Sequence, residues 1–288
     1  MKKYLTPYLK IMRLKNYVKN VIIFFPIIFS GEITNIELTK FIDLLIVVIS
    51  FSLFTSVIYI INDYFDQNDD SLHPIKKERP LASQKLSNKN VGYLGLLILI
   101  AEAVFYINFE VLQQFRLLFF IYFLNNIFYN ILFKKISPII ASLSVSFGFY
   151  LRLLIGSVFS NFNISFTLFS LVFLACFLTS YFKKINDISI GNHDLSKNTN
   201  QLIFLFISMI ITVIYMAHFY SFNLLEFKIL VVFNLLLFIF CIYRVYIFFI
   251  IYAGPNDPID LVGLNIDSLT FLLWFITYFE IRFELFAV

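Results

Sequence analysis

The sequence predicts an all-α, polytopic membrane protein built as a bundle of nine transmembrane helices. Three observations support this fold class. Of the 288 residues, 60% are hydrophobic and only 14% are charged, whereas a soluble domain carries roughly 25% charged residues. The apolar residues form long runs, close to the about 20 residues that a spanning helix needs. The basic residues are concentrated in alternate connections between these runs. This composition excludes a soluble enzyme, a disordered chain and a secreted disulfide scaffold.

The apolar runs are interpreted as helices because they lack the strict alternation of transmembrane strands. A bilayer also requires every backbone polar group to be paired internally, which a helix achieves by itself. The first run is short, so we expect its helix to begin upstream near Lys10 with an amphipathic turn. The predicted spans are, in chain order, 18–31, 41–62, 91–109, 112–133, 138–159, 164–182, 201–220, 227–251 and 268–287.

The basic residues orient the predicted bundle. With the N-terminus in the cytoplasm, the N-terminal arm and the connections after spans two, four and six hold 16 of the 22 Lys and Arg residues. The positive-inside rule therefore predicts a multi-pass protein of the inner (plasma) membrane with a cytoplasmic N-terminus. The connections 63–90, 183–200 and 252–267 are the long polar ones and fall on this side. We expect a single transmembrane domain over 1–288 whose active site opens to the cytoplasm.

The two cysteines, Cys176 and Cys241, both lie inside apolar runs. They lack the CxxC spacing of a metal or redox site. We therefore expect both to be core or lipid-facing side chains.

An acidic stretch lies at the predicted cytoplasmic end of the second span. If the helix continues through it, Asp63, Asp66 and Asp70 share one face, and Asn62 lies on the side of Asp66. Aligned carboxylates repel each other unless a positive group lies between them. Hard oxygen ligands at this spacing suit Mg²⁺, which binds through carboxylates together with substrate phosphates. We predict a Mg²⁺ site formed by these four residues; a solvated helix end is the alternative interpretation.

A short basic segment follows and includes His73, Lys76, Lys77 and Arg79. Lys binds phosphate as a point charge and Arg as a fork. Acidic residues for a metal followed by basic residues for phosphate predict a diphosphate site. The alternative is a juxtamembrane segment that binds anionic lipid headgroups. His73 has no second histidine at metal-ligand spacing, so no zinc site is expected.

Polar residues of other spans are expected to converge on the same face. Arg152 lies inside the fifth span, where a charge is expensive and usually faces the bundle interior. We expect it either in a structural ion pair or in the lining of the site. The candidates from spans one, four and six are Lys19, Asn20, Asn126, Tyr129, Asn130, Lys134, Lys183, Lys184, Asn186 and Asp187.

The pattern Asn62-Asp63-xx-Asp66-xxx-Asp70 resembles the first aspartate-rich motif, NDxxDxxxD, of the UbiA superfamily of intramembrane prenyltransferases. Four further segments are similar to one branch, decaprenyl-phosphate phosphoribosyltransferase and its relatives. Residues 12–20 resemble its RPxQWVKN, residues 70–82 its DxxHPxKxxRPxA, residues 148–152 its GFxLR, and residues 126–134 its fourth-span pattern. The resemblance covers about residues 12–275.

Three departures from the branch pattern matter. Gln84 stands where the branch usually has Gly, and Ile140 stands where it has an aspartate. The second aspartate motif of true prenyltransferases survives only partly, as Asn186-Asp187. This loss argues against a second full Mg²⁺ site for a prenyl diphosphate. It fits the phosphoribosyl branch better, in which the sixth span typically ends in basic residues and a single acidic one.

The resemblance implies a Mg²⁺-dependent transferase that moves 5-phosphoribosyl from phosphoribosyl diphosphate to a polyprenyl phosphate and releases diphosphate. Asp63, Asp66 and Asp70 would hold Mg²⁺, and Asp187 would assist metal or ribose binding. Substrates would be bound by Lys19, Asn20, Asn62, Lys76, Lys77, Arg79, Asn126, Tyr129, Lys134, Arg152, Lys184 and Asn186.

Two alternatives stay open. One is a UbiA-type prenyltransferase that moves a polyprenyl group from its diphosphate to an aromatic acceptor. The other is a lipid transporter or flippase. The partners implied are these substrates and membrane lipid, and no nucleic acid is expected.

Overall fold

The computed structural model describes residues 2–30, 32–189, 197–221, 228–251, 269–270 and 272–278. In this part of the chain the regular structure is all helical, with no strand. The elements are α1 (Lys2–Ile11), a 3₁₀ helix (Leu14–Phe24), α2 (Phe25–Ser30), a 3₁₀ turn (Glu32–Asn35), α3 (Leu38–Leu72), a 3₁₀ turn (Lys76–Glu78), α4 (Asn88–Asn108), a 3₁₀ turn (Glu110–Phe115), α5 (Arg116–Phe128), a π turn (Tyr129–Phe133), α6 (Lys134–Ile136), α7 (Pro138–Ser160), α8 (Phe166–Ser189), α9 (Lys197–Ser221), α10 (Lys228–Tyr246) and a second π turn (Ile247–Ile251).

Seven helices among the described residues are long and apolar enough to cross a membrane. They coincide with predicted spans two to eight, and the all-α fold class is confirmed. The segments from Glu110 to Ile136 together form one of the seven. The longest is α3, whose 35 residues measure about 52 Å at 1.5 Å per residue. A hydrocarbon core of about 30 Å leaves its last turns outside the bilayer.

The predicted first span, 18–31, is not a continuous α-helix. It consists of the 3₁₀ helix Leu14–Phe24 followed by the short α2. In an α-helix the amide of residue 26 would bond to the carbonyl of Ile22, but Pro26 has no N–H. The amide of Phe25 bonds to Ile22 instead, which is the three-residue spacing of a 3₁₀ helix. The helix of this span was expected to begin near Lys10, but α1 ends at Ile11 and the 3₁₀ helix begins at Leu14.

The predicted ninth span, 268–287, falls mostly outside the described residues. Residues 272–278 within it are helical. The prediction of nine spans therefore stays a prediction, as does the side of the membrane to which the bundle opens.

The chain divides into two compact units, Met1–Phe25 with Asn35–Leu132, and Pro26–Thr34 with Phe133–Val288. In the first unit α1 and α4 pack against α3 around a buried core formed by Ile11, Val57, Ile60, Leu81, Leu86, Val91 and Ile98. In the second unit α8 packs between α7 and α9 with a core of Leu178, Phe182, Phe204, Ile211 and Phe249. A single domain over 1–288 stays a prediction.

A buried polar cluster ties α9 and α10 to the helical segment 272–278. The Tyr215 hydroxyl donates to Asn234 Oδ1, and the Trp274 indole donates to the Tyr215 oxygen at 2.9 Å. Asn234 Nδ2 donates to Thr277 Oγ1 at 2.7 Å and to the Trp274 carbonyl at 2.9 Å. Such bonds between membrane helices contribute about 0.6 kcal/mol each on average, so the cluster stabilises the packing of the three helices modestly.

Candidate active site

The acidic stretch is helical, as the sequence predicts. Because α3 runs without interruption to Leu72, Asp63, Asp66 and Asp70 lie on one face. Asp63 and Asp70 are only 2% and 5% exposed, and Asp66 is half-buried, whereas Asp69 points off this face and is exposed. The structure therefore distinguishes three inward carboxylates from one solvated carboxylate.

The basic segment folds back onto this acidic face. His73 forms the turn that follows α3, because its Nδ1 accepts hydrogen bonds from the amides of Ile75 and Lys76, both at 3.2 Å. The 3₁₀ turn Lys76–Glu78 then brings Arg79 to the carboxylates. Arg79 Nη1 lies 2.6 Å from Asp70 Oδ2 and 3.4 Å from Asp63 Oδ1. His73 thus holds the turn between α3 and the basic segment.

Arg13 is a member of the site that the sequence analysis did not single out. Its Nη2 donates to Asp63 Oδ1, and its guanidinium carbon lies 5.3 Å from the centroid of the Tyr59 ring. In the sequence Arg13 counts only as one of several basic residues that orient the N-terminal arm. Its position in the 12–20 segment, which resembles the phosphoribosyltransferase branch, is the signal that could have identified it.

The amide of Asn62 is held from span four, by Asn130. Asn130 Nδ2 donates to Asn62 Oδ1 and to the Asn126 carbonyl at 2.8 Å. Asn126 itself donates to the Tyr122 carbonyl one turn earlier, at 2.8 Å. Asn130 lies in the π turn Tyr129–Phe133, and π turns inside helices occur frequently at functional sites. The structure therefore places Asn130 against the acidic stretch.

The residues predicted from span one are Lys19 and Asn20, and Asn20 does not reach the carboxylates. Asn20 is buried, and its Nδ2 donates to Ser52 Oγ at 2.8 Å. Ser52 precedes Asp63 by eleven residues, which corresponds to about 16 Å along α3, so Asn20 lies away from the carboxylates. The hydroxyls of Tyr17 and Ser56, 2.7 Å apart, also fasten the 3₁₀ helix to α3. Lys19 is half-buried.

The remaining predicted site residues on the first unit differ in exposure. Lys76 and Tyr129 are half-buried, and Lys77 is exposed.

The predicted site residues of the second unit have local partners. Arg152 is buried within α7, where its Nη1 donates to the Gly148 carbonyl at 2.8 Å and its guanidinium lies 4.9 Å from the Phe149 ring centroid. Asn186 Nδ2 donates to the Phe249 carbonyl at 2.9 Å and so ties α8 to the second π turn. The half-buried candidates of this unit are Lys134, Lys183, Lys184 and Asp187.

Parts of the predicted cytoplasmic connections lie outside the described residues. Residues 190–196 of the connection 183–200 and the whole of 252–267 are among the residues that the structure does not describe. The connection 63–90 is described throughout, and its first ten residues belong to α3 rather than to a loop.

The donor set fits Mg²⁺ by its chemistry. Within the described ranges no three His, Cys, Asp or Glu side chains are arranged as ligands of one ion. The oxygens of Asp63 and Asp70 face Arg13 and Arg79 instead. Carboxylate and amide oxygens are nevertheless the ligands that Mg²⁺ prefers. A cation could take these oxygens when the guanidinium groups release them.

The fold and the site define an integral membrane protein with a charged cluster at the end of one long span. The chain belongs to the UbiA prenyltransferase family, whose family model matches residues 23–257. Members of this family are transferases.

Two solved structures share the fold over nearly the whole chain. One is described as digeranylgeranylglyceryl phosphate synthase in membranes, with 19% identity, a TM-score of 0.55 and coverage of 99% of this chain and 98% of that one. The other is a UbiA homologue from Archaeoglobus fulgidus bound to GPP and Mg²⁺, with 14% identity, a TM-score of 0.54 and coverage of 98% and 100%. At these identities the likeness shows the fold.

Two curated proteins are similar over part of the chain. The nodulation protein NoeC of Azorhizobium caulinodans is 30% identical over 101 residues, which is 35% of this chain and 32% of that protein. The protein y4nM of Sinorhizobium fredii is 29% identical over 161 residues, which is 55% of this chain and 30% of that protein. The matches thus span about a third of the length of these relatives.

Proposed function

We propose that the protein is a Mg²⁺-dependent transferase that moves 5-phosphoribosyl from phosphoribosyl diphosphate to a polyprenyl phosphate. The observation that carries this proposal is the convergence of Arg79 and Arg13 on the aligned carboxylates of α3. Adjacent anionic and cationic side chains are the two kinds of group that a metal–diphosphate substrate requires.

In the proposed reaction one bond forms and one bond breaks at the anomeric carbon. A phosphate oxygen of the lipid attacks the anomeric carbon of the phosphoribosyl group, and the bond from that carbon to diphosphate breaks. Diphosphate leaves with the bonding electrons. The lipid phosphate is already an anion, so the protein has to position it rather than deprotonate it. A bound Mg²⁺ would neutralise charge on the leaving diphosphate.

The acidic residues of the site would bind the cation, and the basic residues would bind the phosphate groups of the substrates. Asp63, Asp66 and Asp70 would hold the cation together with the amide oxygen of Asn62. Basic residues of the first unit would bind the diphosphate and stabilise the charge that grows on it in the transition state; they are Lys19, Lys76, Lys77 and Arg79. The candidates for holding the lipid phosphate are Lys134, Arg152 and Lys184. Asp187 would assist metal or ribose binding.

Prenyl transfer is the second candidate function. The family description and the structural neighbours favour it, since one neighbour is bound to GPP and Mg²⁺. The phosphoribosyl proposal is supported by the sequence at the end of α8, where Lys183-Lys184-xx-Asp187 replaces a complete second aspartate motif. Membership of a transferase family leaves the transporter alternative without support.

The site is proposed to face the cytoplasm, where phosphoribosyl diphosphate would be available. The charge distribution supports this orientation, because the predicted topology assigns 16 of the 22 basic residues to the same side as the carboxyl end of α3. The proposed location is therefore the inner (plasma) membrane, with a cytoplasmic N-terminus.

The two candidate reactions are separated by their donors. Purified protein with Mg²⁺ receives labelled phosphoribosyl diphosphate and a long-chain polyprenyl phosphate, or labelled prenyl diphosphate and an aromatic acceptor. The proposal expects label to enter the polyprenyl phosphate with the first pair and no label to enter the aromatic acceptor with the second. Prenyl transfer with the second pair, and none with the first, would refute it.

A further inference from the structure

Arg13 is fixed at its backbone and reaches the site through its side chain. Its φ is 52° and its ψ is 49°, in the left-handed region that non-glycine residues seldom adopt. Its amide bonds to the Lys10 carbonyl at 3.1 Å, and its carbonyl accepts from the Asn16 amide at 2.7 Å. The backbone between α1 and the 3₁₀ helix is thereby held so that the guanidinium reaches α3.

The guanidinium of Arg13 contacts an oxygen that the proposed cation would need. Asp63 is 2% exposed, and its Oδ1 is approached by both Arg13 and Arg79. The three carboxylates of the face carry a formal charge of −3 and the two arginines +2. If a divalent cation binds Asp63, the attraction between Arg13 and this carboxylate is replaced by repulsion from the cation. The guanidinium then requires a new anion.

We infer that Arg13 exchanges partners within the site: it holds Asp63 while no cation is bound, and it binds the diphosphate when the cation takes Asp63. This inference rests on the proposed function, because it needs a cation and a diphosphate at α3. Arg13 suits both states, since a guanidinium binds carboxylate and phosphate with the same fork geometry. The Tyr59 ring beneath it stabilises the cationic group in the first state.

The inference predicts opposite effects on two affinities. Arg13→Gln removes one of the two guanidinium groups that compete for Asp63. Mn²⁺, used in place of Mg²⁺, should therefore bind about tenfold more tightly, as expected for loss of one charge-assisted hydrogen bond. The same variant should bind diphosphate in the presence of saturating Mn²⁺ about tenfold more weakly. A purely structural arginine would not move the two affinities in opposite directions.

The experiment measures Mn²⁺ binding by electron paramagnetic resonance, and then diphosphate binding by calorimetry, on the purified full chain without lipid substrate. Lys15→Gln is the matched control. Lys15 lies two residues after Arg13 and is exposed, so the substitution removes the same charge outside the site. Both affinities of the control should stay within about twofold of wild type. If Arg13→Gln does not yield folded protein, Tyr59→Leu tests the first half of the claim. It weakens the cation-free state in which Arg13 holds Asp63, so Mn²⁺ should bind about threefold more tightly, while diphosphate binding at saturating Mn²⁺, for which Arg13 is still present, should not weaken; unchanged Mn²⁺ binding would contradict the claim.

Each outcome decides one claim. Unchanged or weaker Mn²⁺ binding in Arg13→Gln, or unchanged diphosphate binding, would overturn the role of Arg13, provided that Asp66→Asn lowers Mn²⁺ affinity. Absence of saturable Mn²⁺ binding in the wild type, or binding that Asp66→Asn leaves unchanged, would overturn the metal site itself and with it the proposed function.

Discussion

Asp66 and Asp69 offer a matched pair of substitutions on one helix. Both are aspartates of α3, three residues apart, but Asp66 shares the face of Asp63 and Asp70 whereas Asp69 is exposed. Asp66→Asn and Asp69→Asn make the same chemical change and remove the same charge. Any difference between them therefore reports the position of the carboxylate, and not the charge of the protein.

The expected magnitudes follow from the two positions. Asp66 is one of three carboxylates proposed to hold the cation that stabilises the leaving diphosphate. Loss of one group that stabilises transition-state charge typically costs about 3 kcal/mol, or a 100-fold to 1,000-fold fall in kcat. Asp69 is solvated and screened, so its loss should cost less than about 1 kcal/mol and change kcat by less than about fivefold.

The assay is transfer of labelled phosphoribosyl to polyprenyl phosphate at saturating Mg²⁺, with emission from the single tryptophan, Trp274, as the check on folding. Asp66→Ala should abolish turnover and leave expression and folding intact. Near-normal turnover in Asp66→Asn or Asp66→Ala, or an equal loss in Asp69→Asn, would refute the assignment of the metal site to this face.

Three further predictions concern the fold and its orientation. Gln84 has a φ of 56°, so Gln84→Gly should raise the free energy of unfolding by about 0.5 kcal/mol, because relief of left-handed strain outweighs the added chain entropy; denaturant titration measures the change. Asn234→Leu removes the centre of the buried polar cluster and should cost about 2 kcal/mol from three lost bonds. It should also shift the emission of Trp274, and an unchanged spectrum and midpoint would contradict the structural role. With both native cysteines replaced by serine, Ser71→Cys should react with a membrane-impermeant maleimide only from the cytoplasmic side and Asn163→Cys only from the other. The reverse pattern would invert the proposed topology.

The apolar spans and the acidic face were predictable because each depends on local sequence. A run of about 20 apolar residues suffices for a spanning helix, and the spacing of Asp63, Asp66 and Asp70 fixes a face once the helix is continuous. The resemblance also marked position 84, where the branch usually has glycine. The structure supplies the physical reason, since Gln84 adopts the left-handed conformation that glycine favours.

The partners of the site residues were not predictable in the same way, because they depend on which helices pack together. Charge alone did not separate Arg13 from its basic neighbours; only the packing of the N-terminal segment on α3 brings it to Asp63. Likewise, helical spacing predicted that Asn126 and Asn130 both face the site. In the structure it is Asn130, within the π turn, that contacts Asn62. Pro26 signals the break in the first span, but it lies inside the run 18–31 that was predicted as one helix.

The central claim, that the anomeric carbon is transferred from diphosphate to a lipid phosphate, is tested most directly with a doubly labelled donor. Phosphoribosyl diphosphate would carry ¹⁴C in the ribose and ³²P in the diphosphate, and the protein would receive it with Mg²⁺ and polyprenyl phosphate. The proposed reaction predicts that ¹⁴C enters the lipid phase while an equal amount of ³²P is released to water as diphosphate. If no ¹⁴C enters the lipid, or if ³²P enters the lipid with it, the claim is contradicted.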